Sequence, residues 1–267
     1  MHYAKLYMEF IRIRIMGVAE NRKAFIIGFI AQFASYFADF FLIWIVITQF
    51  KTINGWGAAE VLLLYGLNLC SYAIAGFFFY TPTANLSTMV KDGSFDDVLL
   101  KPLNSFGFLI CRDFNAGYIS HFILALGVIL FSLHSLQVPL DIVNGLFLVV
   151  TLIGGALIQG AALILTSVPS FWVVENKSLT DILFFQAKSF IKYPISIFAM
   201  PVQIIFTYIL PYAFINFYPA QYFLGKNELS IFHPAFQFFT PIVGIVLFLI
   251  AYLFWNIGIN YYKSTGS

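Results

Sequence analysis

AFIIGFIAQFASYFADFFLIWIVITQF, residues 24–50, runs for 27 residues with a single charge, Asp39. A helix that crosses a bilayer needs roughly 20 predominantly apolar residues, so this stretch is long enough to cross. It is too long for the apolar core of a cleaved secretory signal, about 7–15 residues, and reads as a retained first span. The rest of the chain agrees. Of 267 residues, 61% are hydrophobic and 19% aromatic, with 33 Phe, and the mean hydropathy is +0.88. Only 10% are charged, against roughly a quarter in soluble domains. That balance excludes a soluble enzyme or binding module and points to an integral membrane protein.

By the same length criterion, spans fall near 24–50, 58–80, 115–136, 142–168, 195–218 and 238–260. A transmembrane barrel is built from short alternating segments; these runs are long and continuous. The expected fold is therefore all-α, one membrane domain over 1–267 with six transmembrane helices and both ends on one side. Lys and Arg collect in cytoplasmic loops. Lys5, Arg12, Arg14, Arg22, Lys23, Lys91, Lys101, Arg112, Lys177, Lys188, Lys192 and Lys263 fall on the side of the termini, and only Lys51 and Lys226 opposite. Both termini are thus expected in the cytoplasm.

Residues 2–23 repeat Tyr3, Leu6, Tyr7, Phe10 and Ile11 at helical spacing, with Lys5, Glu9 and Arg12 on the other face. The pattern fits an amphipathic helix lying on the membrane, or a solvated helix packed on its own protein. Pro194, Pro201, Pro211 and Pro219 punctuate the fifth span. Proline frees backbone groups that need other partners. A helix followed by a re-entrant or interfacial element on the outer side fits, with one kinked helix as the alternative. In GGALIQGAA (154–162), Ala156 and Gly160 put small residues on one face, which permits close helix approach.

No phosphate-binding loop is present: Gly225–Lys226 has Ala at 220 and is followed by Asn227. Cys70 and Cys111 make no disulfide framework or metal spacing, and His2, His121, His134 and His233 are scattered. Asp39 is the one acid deep in a span. A charge at bilayer centre costs roughly 2.5–3.5 kcal/mol on insertion scales, so it faces a protein interior or an aqueous path. No Lys or Arg is expected at membrane depth to pair with it; a neighbouring hydroxyl such as Tyr36 is the structural alternative.

KDGSFDDVLLKPLN, 91–104, holds five of the chain's 26 charged residues. Phe95, Val98, Leu99 and Leu100 make a short apolar surface flanked by Asp96, Asp97 and Lys101. Gly93 relaxes the entry, and Pro102 disfavours helix at the residue before it. A one- or two-turn helix across the cytoplasmic end of the bundle fits, its apolar side awaiting a groove on a partner.

Together with the N-terminal helix, "DGSFDDVLLKPLN", "FIKYPISIF" (190–198) and "LPYAFINFYPAQYFLG" (210–225) make the chain resemble the compact six-helix permeases of ABC transporters of the ABC-2, type V exporter-like class. The resemblance covers essentially the whole chain. It implies that 83–104 carries a coupling helix docking into an ATP-binding subunit through Gly93, Phe95, Asp96, Asp97, Val98, Leu99, Leu100, Lys101 and Pro102. It implies two such subunits, which hold the ATP and Mg, with no cofactor bound by this chain. A second permease, identical or homologous, completes the path, which Tyr36, Asp39, Phe206 and Tyr208 are expected to line. The chain is then a transport subunit of a prokaryotic inner membrane, not itself an enzyme, with membrane lipid and no nucleic acid among its partners. An apolar, aromatic path suits amphipathic or hydrophobic cargo. The rival readings are an ion-driven secondary transporter, which wants midplane relays and inverted repeats, and an intramembrane lipid-modifying enzyme, which wants grouped catalytic residues.

Overall fold

Residues 2–50, 52–173, 176–226 and 232–263 are described by a computed structural model of the chain. Among them every regular element is helical; an isolated bridge, Ile53 with Trp56, closes the turn after the first span. Helix α1 is His2–Glu20 and α2 Arg22–Phe50, joined at Asn21 with little break in backbone hydrogen bonding. Phe10 of α1 meets Phe108 edge-on at 5.4 Å, while Met8, Ile13, Ile15 and Met16 stay exposed. Apolar side chains exposed beside a membrane-crossing bundle suit a helix lying at the lipid surface. The side chains of Tyr3 and Tyr7, and Lys51 altogether, lie outside the described residues.

Helix α3 (Ala58–Lys91) is the buried centre and outlasts the expected span 58–80. A π turn at Gly76–Tyr80 widens it. There the Tyr118 ring sits so close that a Cβ on Gly76 would overlap it. A one-turn helix, α4 (Asp96–Leu99), and α5 (Ser105–Arg112) lead into α6 (Ala116–Ser135) and α7 (Ile142–Phe171). The last helix, α11 (Thr240–Tyr261), packs against α7, where Gly244 meets the backbone carbonyl of Gly154. Small residues of 154–162 do permit close approach, though each for a different neighbour: Gly155 faces Ser71 and Gly160 the Phe79 ring.

The expected span 195–218 is not one helix. Helix α8 (177–190) precedes it, with a π turn over Asp181–Gln186. It starts where Asn176 Nδ2 donates to the Thr166 and Ser167 carbonyls at the basal end of α7, the end that carries the 92–104 segment. It stops ahead of Pro194, which disfavours helix at the preceding residue. By Ser196, whose carbonyl accepts from Asn54, the chain has reached the opposite, distal end. Residues 176–196 therefore traverse the bundle. Beyond them the chain folds into a hairpin of α9 (Met200–Ile209) and α10 (Tyr212–Leu224), bent by 79° at Leu210–Pro211.

Asn216, fully buried, anchors the hairpin by donating to the Leu64 carbonyl and to the Ile191 carbonyl freed by the end of α8. Thr240 donates to the Phe214 carbonyl at 2.7 Å, and Tyr222 to Asn144 at 3.0 Å. α10 thus climbs from the interior back to the distal end, entering and leaving on one side. The consequence for charge is direct. Lys188 and Lys192, expected in a basal loop, ride on the traverse.

Candidate translocation face and basal docking segment

The basal segment is built by local hydrogen bonds. Gly93, at φ +76°, turns the chain out of α3 in a left-handed conformation that suits glycine. The Ser94 amide and hydroxyl both donate to Asp92 Oδ1, at 3.0 and 2.6 Å, and hold that carboxyl below its ordinary range. Phe95 then drops into a pocket of the chain's own aromatics, edge-on to Phe171 at 5.1 Å and Tyr262 at 5.0 Å, with Trp255 at 6.2 Å. Phe95 and Val98 are fully buried.

This divides the face expected for docking. The ends of α7 and α11 supply the groove that the sequence pattern had reserved for a partner, so Phe95 and Val98 are internal anchors. Leu99 and Leu100, 42% and 79% exposed, remain outward with Asp97, Lys101 and Pro102; Gly93 and Asp96 are half-buried behind them. An open cleft of about 740 Å³ between α1 and this segment runs alongside, lined by Leu6, Phe10, Lys101, Pro102 and Arg112. Asp113 ties α1 to the basal end, accepting from Arg14 at 3.2 Å and from Arg112 at 2.9 Å.

The second site lies within the bundle. Asp39 is 17 residues into α2, about 25 Å along the axis at 1.5 Å per residue. Lys192 Nζ sits 2.9 Å from its Oδ2. The expectation that no cation reaches Asp39 is thus overturned, because the traverse carries Lys192 to this depth. The pair is open on one side, its side chains 39% and 33% exposed. Asp181, Gln186 and Ser189 are exposed on the same traverse.

Tyr36 stands next to the pair, its ring 4.1 Å from His121 and its carbonyl accepting from Tyr65. Phe206 reaches the traverse through Phe190, at 5.6 Å. Tyr208 does not join them. It is 62% exposed and turns toward Phe232 and Phe236 at the distal end.

Lys188, Lys192, Tyr72 and His121 belong to this cluster and were not foreseen. One signal was available: Lys188 and Lys192 are four apart inside the largely apolar run 182–199, the spacing of one helical face. Tyr72 and His121 carry no such sign.

Long apolar helices around a buried α3 define a multi-pass all-α membrane protein. The family description "ABC-2 family transporter protein" matches residues 33–266, nearly the whole chain, and the chain belongs to that family. No curated protein and no solved structure shows a significant match to it. Members of the family are membrane components that generally pair with ABC ATP-binding subunits.

Proposed function

We propose that the chain is the permease half of an ATP-driven exporter and that its open face is one wall of the path. The observation that carries this reading is the uncovered polar face at bilayer depth. An ion pair a third exposed, together with the exposed side chain of Gln186, faces away from this chain's core. Lipid tails cannot satisfy such groups, and intramembrane ionisable residues face a bundle interior or an aqueous cavity. A second permease chain, identical or homologous, set against α2 and the traverse encloses them.

On this reading the crossings are α2, α3, α6, α7, the traverse 176–196 and α11, and the α9–α10 hairpin is a re-entrant element capping the path from outside. Both termini are cytoplasmic in a prokaryotic inner membrane. With Lys188 and Lys192 moved to the traverse, ten of the 14 Lys and Arg residues still lie on that side, in keeping with the positive-inside rule. Leu99 and Leu100, framed by Asp97 and Lys101, dock an ATP-binding subunit, one per permease. ATP and Mg reside there, and its closure moves the basal segment.

Co-expression with the neighbouring genes and gentle detergent extraction tests this. A stoichiometric ATP-binding subunit in the purified assembly is the expected result. A homogeneous assembly without any nucleotide-binding partner overturns it in favour of ion-driven transport.

A further inference from the structure

Lys188 is held in an unusual way for a cation at this depth. Its ammonium lies 3.2 Å from the centre of the Tyr72 ring, with Phe184 at 4.9 Å and Phe185 at 5.8 Å. It has no hydrogen-bond or ion-pair partner among the described residues. The nearest suitable acid, Asp39, is taken by Lys192. Aromatic faces attract a cation, but they offer no acceptor for its N–H groups, and a desolvated ammonium is ordinarily matched by an anion. The residue as a whole is partly exposed on the traverse. Behind it the buried hydroxyls of Tyr72 and Tyr118 bond each other at 3.1 Å, and the buried ring of His121 has Ser120 Oγ at its Nδ1.

We infer that Lys188 is the recognition point for cargo, and that the cargo is an amphiphile whose headgroup carries a negative charge, a carboxylate or a phosphate. This rests on the reading of the open face as a path wall. Lys192 is paired with Asp39 and Lys188 has no carboxylate of its own among the described residues, so the anion that would face it arrives with the cargo. Tyr72 and Phe184, both buried, orient the ammonium, and the partly exposed Phe185 offers apolar surface to the part of the amphiphile next to its charge.

The test is a binding measurement on the full-length permease alone, so that it stands whether or not an ATP-binding subunit is ever found. The chain is placed in nanodiscs of phosphatidylcholine and titrated, below micellar concentration, with N-dodecanoylglycine, its uncharged amide, and dodecyltrimethylammonium. Thermal stabilisation is the readout. The wild type is expected to bind the carboxylate and discriminate against the other two. Lys188→Met should weaken carboxylate binding by roughly tenfold or more, the worth of one charge-assisted hydrogen bond, with amide binding unchanged. Lys188→Arg should keep the preference for the anion.

A second arm replaces a tenth of the phosphatidylcholine with phosphatidylglycerol. Competition with the carboxylate would identify bilayer lipid as a source of the anion, and its absence a separate cargo. Equal binding of all three probes by the wild type overturns the inference. So does a Lys188→Met protein that stays folded and binds the carboxylate as before. Destabilisation by Lys188→Met that Lys188→Arg does not rescue, with the anion preference intact, assigns Lys188 to packing instead.

Discussion

Phe95→Ala and Leu100→Asp, five residues apart, should fail in opposite ways. Phe95 is fully buried and makes edge-on contacts with Phe171 and Tyr262 near 5 Å. Truncating a buried Phe to Ala costs about 3–5 kcal/mol, and each aromatic pair adds about 0.5–1.5 kcal/mol beyond area burial. The pocket is walled by three helices' ends that cannot easily collapse, which places Phe95→Ala toward the upper end, about 4–5 kcal/mol. Leu100 is 79% exposed, and exposed substitutions usually stay within about 0.5 kcal/mol. Leu100→Asp puts a charge where an apolar groove on the ATP-binding subunit is proposed to sit. Denaturant unfolding of the purified permease gives the stability, and retention of the ATP-binding subunit on an affinity column gives the docking. Phe95→Ala should lose stability in the isolated chain; Leu100→Asp should keep it and release the subunit. A Phe95→Ala protein within about 1 kcal/mol of wild type that nonetheless loses its partner would place Phe95 in the interface and refute the division of the segment.

For the pair in the bundle, Asp39→Asn and Lys192→Met should each destabilise by about 1–3 kcal/mol, a range held below that of a fully buried pair because both groups are a third exposed. In a double-mutant cycle the combined variant should lose about 1–2 kcal/mol less than the sum; strictly additive losses would show that the two side chains do not interact. At the α7–α11 contact, a Cβ on Gly244 would collide with the Gly154 carbonyl, backbone on both sides. Gly244→Ala should therefore cost about 1–3 kcal/mol by overpacking, while Gly127→Ala, with nothing within 4 Å, should be neutral or stabilising. Equal thermal midpoints for the two variants would remove the close crossing.

Much of this architecture was legible because membrane physics is written in long windows. The runs at 24–50, 115–136 and 142–168 needed only their length and apolarity, and the structure places helices at 22–50, 116–135 and 142–171. The traverse 176–196, proposed above as the fifth crossing, was not legible in that way. Its helix is short, holds Asp181 and Lys188, and ends before Pro194, so a hydropathy window slides past it to the more apolar 195–218. The clue that 195–218 is a bent hairpin lay in its prolines, which mark where backbone groups are freed and leave open what receives them. Asn216 is one of the answers, and its role depends on Leu64 and Ile191, 152 and 25 residues away.

The same limit governs the site. Asp39 was conspicuous as a charge among apolar residues. Its partner was not, because a lysine counted toward a cytoplasmic loop looks the same in sequence as one carried inward. In the 91–104 segment the amphipathic pattern asked for a groove on a partner. Only the packing shows that the groove belongs to this chain for Phe95 and Val98 and leaves Leu99 and Leu100 outside.

The burial of Phe95 also has a mechanical side. Its ring is wedged among Phe171 at the end of α7 and Trp255 and Tyr262 at the end of α11, while its backbone amide is tied to Met89 of α3. A push delivered at Leu100 therefore does not bend α3 alone like a free lever arm. If an ATP-binding subunit docks at Leu100 as proposed, its push is shared among three helix ends through one aromatic hub, with the π turn at Gly76–Tyr80 further up the same helix. On the proposed docking, softening that hub should lengthen the idle travel before the distal helices respond.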